Sequence, residues 1–111
     1  MIARIWRGVT APGDADAYES MLKPELLPGL STVPGFITSY LLRRPFGDDV
    51  EFITIILFDS LDSLRHFAGP DYEESIVPEE RRLLLKHHDT FASHYEIASV
   101  CDPDSTPRFD S

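Results

Sequence analysis

The sequence predicts one α+β domain of strand–helix–strand–strand–helix–strand order, with a four-stranded antiparallel sheet buried on both faces. Three observations carry that prediction. The stretch Val50 to Phe58 holds no charge after Glu51 and only one polar residue, Thr54; an antiparallel strand with one face in water alternates instead, so unbroken apolarity means cover on both sides. Two segments show helical spacing with start and stop signals, and strand-like runs flank them. The chain has 111 residues, enough for one core and too few for two. Two short helices can cover one face of such a sheet, which leaves the other face to a second subunit and predicts a homodimer.

Residues 2–9, rich in β-branched and aromatic side chains, read as the first strand, with Ile2, Arg4 and Trp6 on one face and Ala3, Ile5, Arg7 and Val9 on the other. Ala11-Pro12-Gly13-Asp14 ends it. Asp16 with Glu19 fits a capping box, Asp14 is an equal candidate cap, and Tyr18, Met21, Leu22 and Leu26 follow at helical spacing. Pro24 lacks an N–H and crowds the preceding turn, which predicts a bend or break there. Residues 36–44 read as the second strand, with Phe36, Thr38, Tyr40 and Leu42 on one face and Ile37, Ser39 and Leu41 on the other. Pro45 to Asp49 supplies hairpin turn chemistry before the third strand.

Asp59 or Ser60 caps the second helix, whose apolar side is Leu61, Leu64, Phe67 and Ala68, and Gly69-Pro70 stops it. Residues 71–88 are ambiguous: Tyr72 and Ile76 suit a helical turn, and Pro78-Glu79-Glu80 with Lys86-His87 suits another. A last strand is expected over about 90–100, with Phe91, Ser93, Tyr95 and Ile97 opposite Ala92, His94, Glu96 and Ala98. The order is that of the ferredoxin-like unit. The domain is expected to span 1–100, with 101–111, rich in Pro, Asp and Ser, as an extended tail.

Nineteen acidic against 10 basic residues give a formal net charge of -9. So negative a surface repels phosphate backbones and anionic bilayers, so neither nucleic acid nor membrane is expected as a partner. The one cysteine, Cys101, cannot form an internal disulfide, and the longest apolar run is far too short to cross a bilayer. A cytoplasmic protein is the expectation.

Ile2-Ala-Arg-Ile-Trp-Arg-Gly8, Asp16-Ala-Tyr18, Pro34-Gly35-Phe36, the block from Phe58 to Gly69, and His94-Tyr95-Glu96 together resemble the antibiotic-biosynthesis-monooxygenase (ABM) family of the dimeric α+β barrel superfamily. The resemblance covers most of residues 1–98. It implies two subunits whose sheets face each other, helices outside, and a pocket in each subunit between sheet and helices. Two enzyme types resemble this scaffold: cofactor-free oxygenases acting on aromatic polyketide phenols, and haem-degrading monooxygenases. Phe58 stands where many of the family's oxygenases carry Trp, and Thr54 where characterised members carry Asn.

Each candidate residue has a plain reading beside its functional one. Trp6, the sole Trp, is a core or interface aromatic, or it lines the pocket and stacks on a flat ligand. Arg4 shares its strand face and pairs with a carboxylate such as Glu96, or binds a ligand anion. Tyr40 is a half-buried strand residue with its hydroxyl in water, or it orients a phenol or quinone. If the family's placement holds, Thr54 and Phe58 look toward the pocket. His66 is a solvated helix position or, like His94, a haem ligand. His94 is a packed histidine or a general base. His87-His88-Asp89 makes no metal site, because neighbours on a strand point to opposite faces. No nucleophile elbow, phosphate loop or dinucleotide fingerprint occurs.

The expected function is binding of a small hydrophobic or aromatic ligand, with cofactor-independent monooxygenation (no metal, no cofactor) as the associated activity. The alternatives are a non-catalytic binding or interaction dimer and a haem protein.

Overall fold

The computed structural model describes residues 1–75 and 77–101. Strand β1 (Ile2–Thr10) is followed by a short 3-10 turn, helix α1 (Ala15–Leu26), strands β2 (Phe36–Phe46) and β3 (Asp49–Phe58), helix α2 (Leu61–Ala68), the single-turn helix α3 (Glu79–Arg82), and strands β4 (Leu85–His88) and β5 (Ser93–Glu96). The sheet is antiparallel in the order β2-β3-β1-β4, with β5 also on β1. β3 holds one edge of β1 from Ile2↔Phe58 to Thr10↔Val50. β4 and β5 take the other edge in succession, pairing with Gly8–Thr10 and Ile2–Ile5. They are two halves of one interrupted strand, in the position where the sequence predicted a single one.

The interruption corrects the reading of residues 71–100. Leu85–His88 is strand, not the end of a helix, and regular pairing resumes only at Ser93. Between them the chain swings out, and Asp89 closes the gap: its N–H donates to the Arg7 carbonyl at 2.9 Å, and its carboxylate accepts from the Arg7 N–H at 3.1 Å. The segment before α3 is pinned to that bulge through the Glu74↔Phe91 bridge and a bond from the Ala92 N–H to the Glu73 carbonyl at 2.8 Å. Of the helical turn expected around Tyr72 and Ile76, Ile76 lies outside the described residues, as does the expected tail beyond the exposed Cys101.

A second correction concerns β2. Its register slips between Phe36 and Thr38, so Phe36 pairs with Phe58 while Thr38 pairs with Leu57. Such a bulge moves everything after it to the opposite face. Ser39 and Leu41 therefore join Phe36 under the helices, and Thr38, Tyr40 and Leu42 go to the other side.

Helix α1 buries Ala15, Tyr18, Leu22 and Leu26, while Met21 is 42% exposed. The Asp16–Glu19 capping box does not form, because the helix starts at Ala15 and puts Asp16 inside its first turn; Asp14 takes the N-cap position but makes no side-chain cap bond. Asp16 and Glu19 accept instead from Arg43 on β2, at 2.8 and 3.3 Å. Nor does Pro24 end the helix. It sits on the exposed side of the last turn, where its missing N–H would have served a carbonyl open to water. Helix α2 follows the sequence closely. The Ser60 hydroxyl accepts the Ser63 N–H at 3.1 Å, Leu64 is fully buried, and Gly69 ends the helix at φ 88°.

The core lies between these helices and one sheet face: Tyr18, Leu22, Leu26, Leu30, Phe52, Ile56, Phe58 and Leu64. The other face carries Ile5, Ile53, Ile55 and Leu57, each half-buried, together with Tyr40, Leu42 and Tyr95, which are 52%, 47% and 58% exposed. No helix among the described residues is long and apolar enough to cross a membrane.

Candidate functional site

A cavity of about 350 Å³ lies between the covered sheet face and the helices. That volume falls in the range of small-molecule sites. Its floor is Arg4 and Trp6 from β1 with Thr54 and Ile56 from β3, side chains that alternate onto one face in paired register. Its roof is the apolar side of α1, Leu22 and Leu26, continued by Leu30, with Phe67 and Ala68 of α2 at one side. Tyr18, Glu25 and Arg81 form one polar patch of the wall, and Glu74 and Ser75 another.

Trp6 is fixed rather than free. Its Nε1–H donates to the Ser75 hydroxyl at 2.7 Å and to the Asp89 carbonyl at 2.9 Å, and its ring stacks on His88 at 5.8 Å between centroids. Gly8, next on the same face, lets the indole lie flat. A Cβ at Gly8 would stand 2.8 Å from Leu85 Cδ2 and 3.1 Å from the indole Cζ3.

Arg4 enters the cavity wall without a carboxylate partner among the described residues. Its guanidinium donates to the Tyr72 carbonyl, to Nε2 of His94 at 2.9 Å, and to the Glu74 carbonyl at 3.5 Å. All three acceptors are neutral. Burial disfavours the charged form and pulls the Arg4 pKa below its ordinary value. Glu96, the partner weighed from sequence, is exposed and makes no bridge to Arg4. Of the carboxylates lining the cavity, Glu25 is taken by Arg81 at 2.7 Å, and Glu74 is exposed.

His94 pairs with Arg4 across the β1–β5 ladder and packs edge-on against Tyr72, 5.1 Å between ring centroids. Because a guanidinium can only donate, Nε2 of His94 must accept, which fixes the ring as the neutral Nδ1–H tautomer. Burial, and then the Arg4 charge, lower the His94 pKa, while Glu73 opposes them. Its acceptor nitrogen is spent on Arg4, and the ring is not part of the cavity lining.

The sequence candidates therefore separate. Arg4, Trp6 and Thr54 meet in the cavity. Phe58 lies beneath it, fully buried, with its ring 5.4 Å from that of Phe67, which does line it. His66 is exposed on α2 beside Phe67. Tyr40 is on the opposite sheet face, paired with Ile55, because of the β2 bulge. His87 and His88 fall on opposite faces, against Val9 and Gly8.

Tyr18, Ser75 and Arg81 were not singled out from sequence. Tyr18 reads there as an ordinary core position, and only its depth distinguishes it: burial pushes its hydroxyl pKa up to about 12. Ser75 and Arg81 fall in the stretch with no clear periodicity.

A helix-covered antiparallel sheet with a cavity between its layers defines a ferredoxin-like α+β domain. Among solved structures it is similar to the heme-degrader MhuD from Mycobacterium tuberculosis, described with two hemes bound in its active site. The TM-score is 0.59 at 18% identity, over 92% of this chain and 98% of that one. The likeness bears out the fold class that the sequence predicted. No family model matches the chain, and no curated protein matches it.

Proposed function

We propose that the protein binds a small, flat, largely apolar molecule in the cavity between its sheet and helices, as a homodimer closed over the open sheet face. The observation that carries the binding reading is the cavity itself: leucines above, an immobilised indole below, and a few convergent polar groups at the walls, the usual composition of a small-molecule site. For the dimer, the support is the apolar open face, where Ile5, Ile53, Ile55 and Leu57 adjoin exposed Tyr40, Leu42 and Tyr95.

Monooxygenation of a phenol would need a base facing the ligand. Neither His94, whose acceptor nitrogen is occupied, nor Tyr40, on the far face, supplies one, so the reading is binding without assigned turnover.

The test is calorimetric titration with 2-naphthol and an anthrone, for the wild type and for Ala68→Phe, which fills the cavity. Binding to the wild type, weakened about tenfold or more in a folded Ala68→Phe, supports the proposal. Equal affinities in the two proteins sink it.

Haem is the second reading, favoured by the likeness to MhuD. The lining residues do not fit an iron ligand: no histidine, cysteine or methionine is among them, and burial holds the Tyr18 hydroxyl protonated. His66 or His94 would have to swing in. Haemin addition is expected to give no Soret shift that depends on a histidine, and a shift lost in His66→Ala or His94→Ala would reverse the order of the two readings.

A further inference from the structure

We propose that the cavity selects ligands bearing an acid group, a carboxylate or its equivalent, captured by Arg4, and that His94 is the positioning residue that holds the guanidinium for it. This rests on the reading of the cavity as a ligand site and adds the ligand's charge class.

Nine more acidic than basic charges crowd this chain, yet Arg4, which lines the cavity, has no carboxylate within salt-bridge distance among the described residues. A partly buried cation satisfied only by neutral acceptors has lost hydration without gaining a countercharge. The second arginine of the wall lacks this property, because Arg81 is already paired with Glu25 at 2.7 Å. The Glu74 carboxylate is exposed and therefore screened, so it does little to neutralise Arg4. The charge a ligand must bring is thus negative, and its place is beside Arg4.

The surroundings of Arg4 suit this task. The Tyr72 carbonyl and the His94 ring take both Nη1 donors and the Glu74 carbonyl takes one on Nη2, which fixes the guanidinium plane and leaves the second Nη2–H and the Nε–H for an incoming oxyanion. A carboxylate at the position of His94 would have neutralised the arginine. A neutral imidazole nitrogen orients it and leaves the charge in place. Trp6, two residues along the same strand face, offers the flat apolar surface on which the ligand's body lies.

The test compares 2-naphthoate with 2-naphthamide, close in shape and differing in charge, by calorimetry at neutral pH. A charge-assisted bond predicts naphthoate tighter by about tenfold or more. Arg4→Gln should equalise the two ligands, and Arg4→Lys should keep part of the preference. His94→Ala should reduce the ratio, and His94→Gln, which retains an acceptor, should restore it, a rescue that a merely space-filling role would not give. Naphthamide binding as tightly as naphthoate to the wild type overturns the proposal and leaves the ligand site standing. If neither ligand binds, the acid-group proposal fails, while the ligand-site reading stands or falls on its own titration with 2-naphthol and an anthrone. A preference that survives in a folded Arg4→Gln also overturns the acid-group proposal.

Discussion

His94 shows how one residue's surroundings set its chemistry. With its folded pKa below the ordinary 6.5, the native state takes up a proton less readily than the unfolded chain. Its contribution to stability is therefore full above pH 6.5 and falls as the pH drops from there through the lowered native value. Urea midpoints measured between pH 7.5 and 5 should decline in the wild type and decline less in His94→Gln; parallel curves would show that His94 carries none of the effect. Gly35 makes a second point at this scale. It adopts φ 81° where the chain turns into β2, its carbonyl accepts the Asp59 N–H at 2.8 Å, and a Cβ there would collide with Ser63. Gly35→Ala should cost about 1–3 kcal/mol by urea denaturation, from the left-handed backbone and the displaced serine. Ser60→Ala, which removes the α2 cap and the bond from the Ser60 hydroxyl to Ser63 Oγ at 3.1 Å, should cost about 1 kcal/mol.

Among the elements, β3 and α2 were legible in the sequence and the two ends of the sheet were not. The apolar run of β3 and the cap-to-glycine frame of α2 are local signals, and local signals survive folding. The bulge after Phe36 leaves no trace in the alternation of β2, because either register reads as a strand; it shows only in the pairing, Phe36 with Phe58 and Thr38 with Leu57. That slip alone separates Tyr40 from the cavity. The break at residues 89–92 is equally silent, since it depends on Asp89 bonding to the Arg7 backbone and on the bridge to Glu74. Of the site, the floor was readable because β1 and β3 keep a strict period of two; the wall from Ser75 and Arg81 was not, because tertiary bonds place it. On the open face at the hairpin end of the sheet, Glu51 is 4% exposed and accepts from Arg7 at 2.5 Å and Arg44 at 2.6 Å. Arg44 first, then Arg7, hold its carboxyl below the ordinary 4.5, so this clamp stabilises above that pH and weakens as the pH falls through the lowered native value. Glu51→Gln should flatten the acid limb of the stability curve below pH 4.5, and an unchanged limb would remove Glu51 from the account.

At the scale of the molecule, two apolar surfaces meet the same sheet from opposite sides. One is covered by helices, with the cavity between them and the sheet. The other presents the alternate residues of β1, β2 and β3. A second copy of this chain is the proposed cover for that face, so light scattering should give twice the 12.6 kDa of the chain. Ile55→Lys, placed between Ile5 and Tyr40 in the pairing, should give the single mass with the fold retained; a monomeric wild type would remove the dimer. The central claim concerns the other side of the sheet, and a crystal structure grown with 2-naphthol tests it most directly. The ligand is predicted between the Trp6 indole and Leu26, with Phe67 at its edge. Density for it only on the open sheet face, or an empty cavity at saturating ligand, would contradict the account.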